Sequence, residues 1–312
     1  MIDTFEGYLK ALVPLKIRRL LFRTLLVSSS YREEIELAES VLLMRRDGAT
    51  LDGEYWAAIL RKYAHILDKG LQRCDCETGR SMGFYVLACE AMNHIDGTEL
   101  VHDPSIIWAR NKVLEYEAFQ VRNCIVGTPV PFVETSCTYE QLHDVMVTRR
   151  SVRSFSSREV PRLEIEKIVS CVNWAPASCN RQTVRVFIAD TPEVIRICLG
   201  VNSGATCTSD NIPCFMSFCA DVRPYDMPHE MTLPVLDTAL GVQNCCLAAH
   251  TLGIGMTLLN WTHHTEEQAK VLRKTLGIPS YFRIVANAVL GYPAQGAPLP
   301  ARKSDHSTYT FA

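Results

Sequence analysis

The sequence predicts an α+β fold: a layer of about four strands flanked by helices, preceded by a mainly helical N-terminal region. Three observations carry this reading. Before about residue 125, apolar residues recur at helical spacing and no convincing strand appears. The connector VGTPVPFVETSCT, 126–138, concentrates prolines and turn residues. Beyond it, helical patterns alternate with short apolar runs of strand length. The expected organisation is a helical region over 1–125, a linker over 126–137 and a folded domain over 138–312.

The first clear helix is EYWAAILRKYAHILDKGL, 54–71, with Trp56, Ile59, Leu60, Tyr63 and Leu67 at helical spacing. Asp103 and Pro104 supply an N-cap and a first-turn proline for a helix through Ile106, Trp108, Val113 and Leu114. After the connector, Thr138 is placed to cap a helix over 138–150. Pro161 starts another, 161–175, with Ile165, Ile168, Val169 and Val172 on one side. TVRVFIAD (183–190) and the apolar NIPCFMSFCADV (211–222) are strands. The segment 233–253 is long, mostly apolar and rich in small residues, so it forms a central buried helix. A strand at 254–261, a short helix at 265–277 stopped by Gly277, and a final strand at 283–293 complete the layer.

With 312 residues, 21% charged and 47% hydrophobic, the chain has ordinary globular composition, not that of a disordered protein. A net charge of −2 argues against a nucleic-acid binder, which needs a basic excess to neutralise phosphates. The first apolar run is broken by Lys10, Pro14, Lys16, Arg18, Arg19 and Arg23, so no export signal is apparent. The 13 cysteines are therefore expected to be reduced, in a cytoplasmic protein. Cys74 and Cys76, with His65 or Cys89, are the candidate metal set, but their spacing is not that of a zinc knuckle and no metal is predicted. The stretch KALVPLKIRRLLFRTLLV, 10–27, is basic and amphipathic. It either lies peripherally on an anionic membrane surface or packs on its own domain.

The chemistry starts at RRSVRSF, 149–155. Three arginines and two serines in seven residues of a near-neutral chain point to a local anionic ligand. In extended backbone, Arg149, Ser151 and Arg153 share a side. One helix later comes WAPASCNRQTVRVF, 174–187. Its Asn180 and Gln182 amides each donate and accept, which suits the edge of a heterocycle with alternating C=O and N–H. Pro176, Ala177 and Ser178 are small and turn-forming, so backbone can approach a flat ring.

RRSxRxF followed by AP-x-S-x-N-x-Q resembles the FMN-binding signature of the nitroreductase family. The likeness continues through DTALGVQNCCLAAHTLGIGMTLLNW (237–261) and VLGYPAQGAPLPARKS (289–304), covering about 138–304. It implies the nitroreductase fold, a mainly antiparallel sheet flanked by helices, and a homodimer with FMN at the interface. By resemblance, Arg149, Ser151 and Arg153 hold the FMN phosphate and ribityl chain, with Arg150 contributing through backbone or phosphate. Pro176, Ser178 and Asn180, and with them Gln182, meet the ring, part of that stretch coming from the other subunit. Gly253 and Gly255 fall where backbone passes near the ring, and Arg302, or Lys303 in its place, lies near the phosphate.

Two departures matter. The family often follows Asn-x-Gln with Pro-Trp, whereas here Thr183 and Val184 follow. The stretch VRPYDMPHEMTL, 222–233, is short where many members insert capping helices, which implies an open pocket or a lid supplied by the N-terminal helices. The N-terminal RKYAHILDKGL, 61–71, with GRSMGF, 79–84, is similar to a segment preceding certain nitroreductase-like proteins, some associated with bacterial surface-polysaccharide genes. There His65, Asp68 and Lys69 are expected to be polar caps at the domain junction.

The resemblance implies an FMN-dependent oxidoreductase passing electrons from NAD(P)H to a small acceptor such as a nitro compound or quinone. No side-chain catalyst is expected, so neither His263, His264 nor any cysteine is given that role. Two alternatives stand beside it. One is a flavin enzyme of the same fold acting on a biosynthetic intermediate, in surface-polysaccharide metabolism for instance. The other is a non-enzymatic interaction protein with a vestigial flavin site.

Overall fold

The computed structural model describes residues 32–46, 51–73, 76–122, 132–202, 212–225, 227–262, 264–304 and 308–311. The 10–27 segment, Cys74 and His263, all singled out above, lie outside them. Helix α1 (Arg32–Arg46) is followed by α2 (Gly53–Leu71), α3 (Met82–Ile95) and α4 (Pro104–Arg122). Asp52 starts α2 by accepting from the Tyr55 N–H at 3.0 Å, and Asp103 starts α4 by accepting from the Ser105 N–H at 2.8 Å. Helices α2, α3 and α4 enclose a shared apolar core containing Leu60, Leu67, Ala91, Ile95, Ile106 and Val113.

The spacing read in the sequence gives α2 one apolar stripe. In the structure it is buried on several sides, including at Arg61 and Lys62. The cause is a second neighbour: α2 packs on α3 and α4 and also against the 178–180 turn of the following domain. Helix α3 carries no start signal to read, because Ser81 precedes it in the left-handed region (φ 64°) without a side-chain cap. No strand forms among the described residues before 184, in line with the sequence.

In the second part, α5 (Tyr139–Thr148) begins with a reciprocal cap between Thr138 and Gln141. Helix α6 (Arg162–Ser170) follows Pro161 directly and tightens into a 3-10 turn, Cys171–Trp174. Strand β1 (Val184–Ala189) leads to α7 (Pro192–Gly200), an element the sequence reading left out although Pro192 stands in its first turn. Strand β2 (Cys214–Asp221), helix α8 (Leu233–Thr251), strand β3 (Gly255–Leu259), helix α9 (Glu266–Leu276) and strand β4 (Phe282–Gly291) complete the domain. Thr265 caps α9 and Gly277 ends it at φ 66°.

The four strands form one antiparallel sheet in the order β1-β2-β4-β3. Every residue of β2 is buried because its two faces meet different cores. Phe215 and Cys219 join one with Leu259, Phe282 and Val289; Cys214, Met216 and Phe218 join the other with Cys245 and Leu290. Segment 149–155 crosses from β3 to the end of β4: Ser151 bridges Met256 and Phe155 bridges Pro293. Val152 and Phe155 point into the core, which leaves Arg153 facing out.

Candidate functional site

Helix α5 ends at Thr148 because Arg149 turns to extended backbone (φ −58°, ψ 134°), its N–H still donating to Val145 O at 3.1 Å. Arg150 folds back onto the helix end, Nη1 donating to Val147 O at 2.5 Å and Arg149 O at 2.7 Å. The next residues are fastened to β3. Val152 N–H donates to Met256 O at 3.4 Å, and the Thr257 hydroxyl donates to Val152 O. Gly255 makes this approach possible, since a Cβ there would lie 2.5 Å from Val152 Cβ.

The result is a cavity of about 350 Å³ lined by Arg149, Arg150, Ser151, Arg153, residues 297–300 and Arg302. It brings together most of the phosphate-side residues read from the sequence; Lys303 is not in its lining. Four arginines line it, no carboxylate does, and none of the four pairs with a carboxylate among the described residues. A site with that donor set takes an anion with several oxygens.

The second group forms a tight turn. Cys179 (φ 51°), Asn180 (φ 54°) and Gln182 (φ 53°) are three of the four non-glycine residues with positive φ among the described residues. Each such conformation costs on the order of 1–3 kcal/mol and persists only where the surroundings impose it. Here the surroundings are explicit. Ser178 donates from its N–H and hydroxyl to the two oxygens of Asp237, at 2.9 and 2.7 Å. Gln182 Nε2 donates to Asn180 Oδ1 at 2.9 Å. The Arg181 side chain, fully buried, pairs with Glu230 and lies over the Tyr225 ring at 4.5 Å. Thr183, standing where the family often has proline, is buried with its hydroxyl 3.0 Å from Tyr225 OH.

Gln182 lines two small cavities. One lies against Pro176, Ala177 and Asp237, and the other, about 130 Å³, lies between the turn and Asp52, Glu54 and Arg61 of the α2 start. Neither shares a lining residue with the arginine cavity. Within one chain, then, Pro176 and Gln182 of the second group line cavities separate from that of the arginines. Gly253 (φ 70°) makes the exposed turn between α8 and β3, whereas Gly255 is buried beneath Val152.

Arg181, Asp237, Glu230 and Arg61 were not singled out in the sequence. Asp237 carried a signal, as an acid inside a mostly apolar helix needs a buried partner. Of His65, Asp68 and Lys69, Asp68 is bonded inside the helical unit and not at a domain junction: it pairs with Lys112 of α4 at 3.1 Å and accepts from Gln72 at 2.9 Å. Burial and the Lys69 charge push the His65 pKa down. Burial pushes the Cys245 thiol up to about 12 and also raises Cys246, against the pull of Arg149. Among the described residues no group of three His, Cys, Asp or Glu is placed to hold a metal, and no helix is long and apolar enough to cross a membrane.

An antiparallel four-stranded sheet wrapped by helices, with an arginine cavity ahead of a polar left-handed turn, defines a class that comparison with known proteins identifies. Residues 146–212 and 204–292 match the model of the Nitroreductase family. The chain is 31% identical over 157 residues to the "Putative NADH dehydrogenase/NAD(P)H nitroreductase" of Archaeoglobus fulgidus, across 49% of this chain and 86% of that one. It is 24% identical over 164 residues to the FMN reductase (NAD(P)H) of Bacillus subtilis, across 48% and 64%. Among solved structures, the FMN-dependent nitroreductase of Clostridium difficile aligns with a TM-score of 0.48 at 21% identity, over 54% of this chain and 96% of that one. The chain belongs to the nitroreductase family.

Proposed function

We propose that this chain binds FMN and is an FMN-dependent oxidoreductase, with NAD(P)H as donor and a small molecule such as a nitro compound or quinone as acceptor. The observation that carries the reading is the gathering of Arg149, Arg150, Ser151, Arg153 and Arg302 around one cavity without a carboxylate. That donor set fits a terminal phosphate, which Arg149, Arg153 and Arg302 would grip while Arg150 holds the helix end. Pro176, Ser178, Asn180 and Gln182 would meet the ring, with the Ser178–Asp237 bonds fixing their turn. When bound, the flavin supplies the redox chemistry, and the protein's part is to hold and orient it. The filled set of cavity donors weighs against a vestigial site.

The separate cavities favour a homodimer, in which a twofold axis brings the arginine cavity of one chain to the 176–182 turn of the other. An uncovered apolar face supports this. Helix α5 buries none of its residues, and Leu142, Met146 and Val147 are exposed, as are Leu236 and Leu240 of α8. The helical unit, the 126–137 connector and the 138–312 domain are proposed as the three parts of the chain, with α1 packed on Tyr225 and Met231, and α2 reaching Glu230 through Lys62, as a cover for that segment.

The test is an absorption spectrum of purified protein before and after anaerobic NAD(P)H. Flavin bands that bleach support the reading, and absence of flavin after incubation with FMN refutes it. Arg153→Glu should abolish FMN retention while leaving the fold intact, since it sets an anion where the phosphate sits. Sedimentation of a flavin-loaded monomer would refute the shared site.

A further inference from the structure

Among the contacts of the N-terminal helical unit with the 178–182 turn, one buried side chain bonds the turn's backbone directly. Arg61, on α2, is 7% exposed, and its Nε donates to the carbonyl of Arg181 at 3.1 Å. Its Nη1 donates to Ser105 Oγ at 3.1 Å, and that hydroxyl donates to Asp103 Oδ1 at 2.5 Å. The chain of bonds therefore runs from the cap of α4 through Arg61 to the turn. Resting on the flavin reading above, we infer that Arg61 is a positioning residue for that site: it fixes the turn that presents Asn180 and Gln182, and makes the helical unit part of the site.

Three features support this. First, Arg181 lies between Asn180 and Gln182, both in the left-handed region, so a bond to its carbonyl acts on the peptide that leads directly into Gln182. Without an outside constraint, such residues relax to ordinary backbone. Second, the side chain of Arg181 is held from the same direction. Glu230 pairs with it, and Lys62 of α2, the neighbour of Arg61, stands 3.9 Å from Glu230. Third, Arg61 has no carboxylate in direct contact among the described residues. A buried guanidinium without a contacting acid is a costly way to join helices, because its charge is desolvated and not directly paired. Its hydrogen bonds go to the turn and to Ser105.

The experiment compares the full-length parent with Arg61→Ala, Arg61→Lys and Ser105→Ala. It measures FMN affinity by fluorescence titration, the absorption bands of the bound flavin, and the thermal midpoint. Arg61→Ala is expected to weaken FMN binding about tenfold, the scale of losing a hydrogen bond from a charged donor, and to shift the flavin bands. Arg61→Lys, able to keep one of the two bonds, recovers part of both. Should Arg61→Ala not fold, the two milder variants carry the same comparison. A role confined to joining helices would lower the midpoint and leave affinity and bands at parent values, and that result overturns the inference. A parent chain that binds no FMN overturns the flavin reading and this inference with it, so the two failures are distinguishable.

Discussion

Replacing Gly255 by alanine puts a methyl carbon 2.5 Å from both Cβ and Cγ2 of Val152 and 2.8 Å from its Cγ1. The neighbours cannot simply part. Val152 is bonded to Met256 through its N–H and to Thr257 through its carbonyl, the two residues directly after Gly255. Relief therefore needs a shift of the whole 151–153 segment or loss of those bonds. Overpacking costs about 1–3 kcal/mol, and a hydrogen bond lost costs about 1 kcal/mol more, so about 3 kcal/mol is expected. For a chain of this size that lowers the thermal midpoint by roughly 5 °C. The same shift moves Ser151 and Arg153 in the arginine cavity, so FMN affinity should fall at least about tenfold. Gly253→Ala is the control for stability: its φ is 70° but nothing lies within 4 Å of the added carbon, so only about 1 kcal/mol of backbone strain is expected. Thermal unfolding followed by circular dichroism and FMN fluorescence titration read both quantities. A Gly255→Ala protein within about 1 °C of the parent and with unchanged FMN affinity would show that β3 and the arginine segment separate freely, and the reasoning would be wrong.

Asp237→Ala removes the acceptor for the Ser178 N–H and hydroxyl and for Tyr225 OH, so urea unfolding should show a loss of about 3 kcal/mol, while Ser178→Ala should lose about 1 kcal/mol. Burial raises the Asp52 carboxyl, but its bonds with Arg223 and the Tyr55 N–H outweigh this and hold it below the usual carboxylate range. Its contribution is thus complete above the unfolded value of about 3.9 and is lost as pH falls through the lower folded one. Hydrogen-exchange protection in α2, taken relative to the intrinsic exchange rate at each pH, should fall below about pH 4 in the parent, and the part due to Asp52 should vanish in Asp52→Asn, which separates it from Asp221, whose carboxyl burial pushes the other way. Burial pushes Cys198 and Cys219 up to about 11 and Cys214 and Cys245 up to about 12. Alkylation at pH 8, mapped by mass spectrometry, should label exposed Cys137 and leave those four unmodified until the protein unfolds.

What the sequence disclosed follows the strength of local signals. Thr138 and Thr265 each have a glutamine three residues on, so α5 and α9 start where they were expected. The strands at 184, 214, 255 and 282 are short apolar runs between turn residues, and all four formed. Helix α3 begins without a cap, and its absence from the sequence reading reflects that. The arginine cavity was largely legible because 149–153 is one contiguous motif. Arg61 and Glu230 were not, because their partner Arg181 is 120 and 49 residues away in the chain. A long-range bond between charged residues leaves no periodic trace. The left-handed turn at 179–182 was equally hidden: it contains no glycine, and its conformation is held largely by distant partners, Asp237, Tyr225 and α2.

The arginine cavity sits at the wrong end of a helix. Anion sites commonly use helix N-termini, where amide dipoles attract negative charge, but α5 points its C-terminus here, an end equivalent to about half a negative charge. Arg150 lies across that end, on the carbonyls of Val147 and Arg149, so much of its charge goes to cancelling the helix. What remains favourable comes from the side chains of Arg149, Arg153 and Arg302, with no backbone field behind them. In the proposed flavin site a dianionic phosphate would gain from all three, while the same molecule without its phosphate would meet an unrelieved cluster of like charges, so the cavity would select by ligand charge.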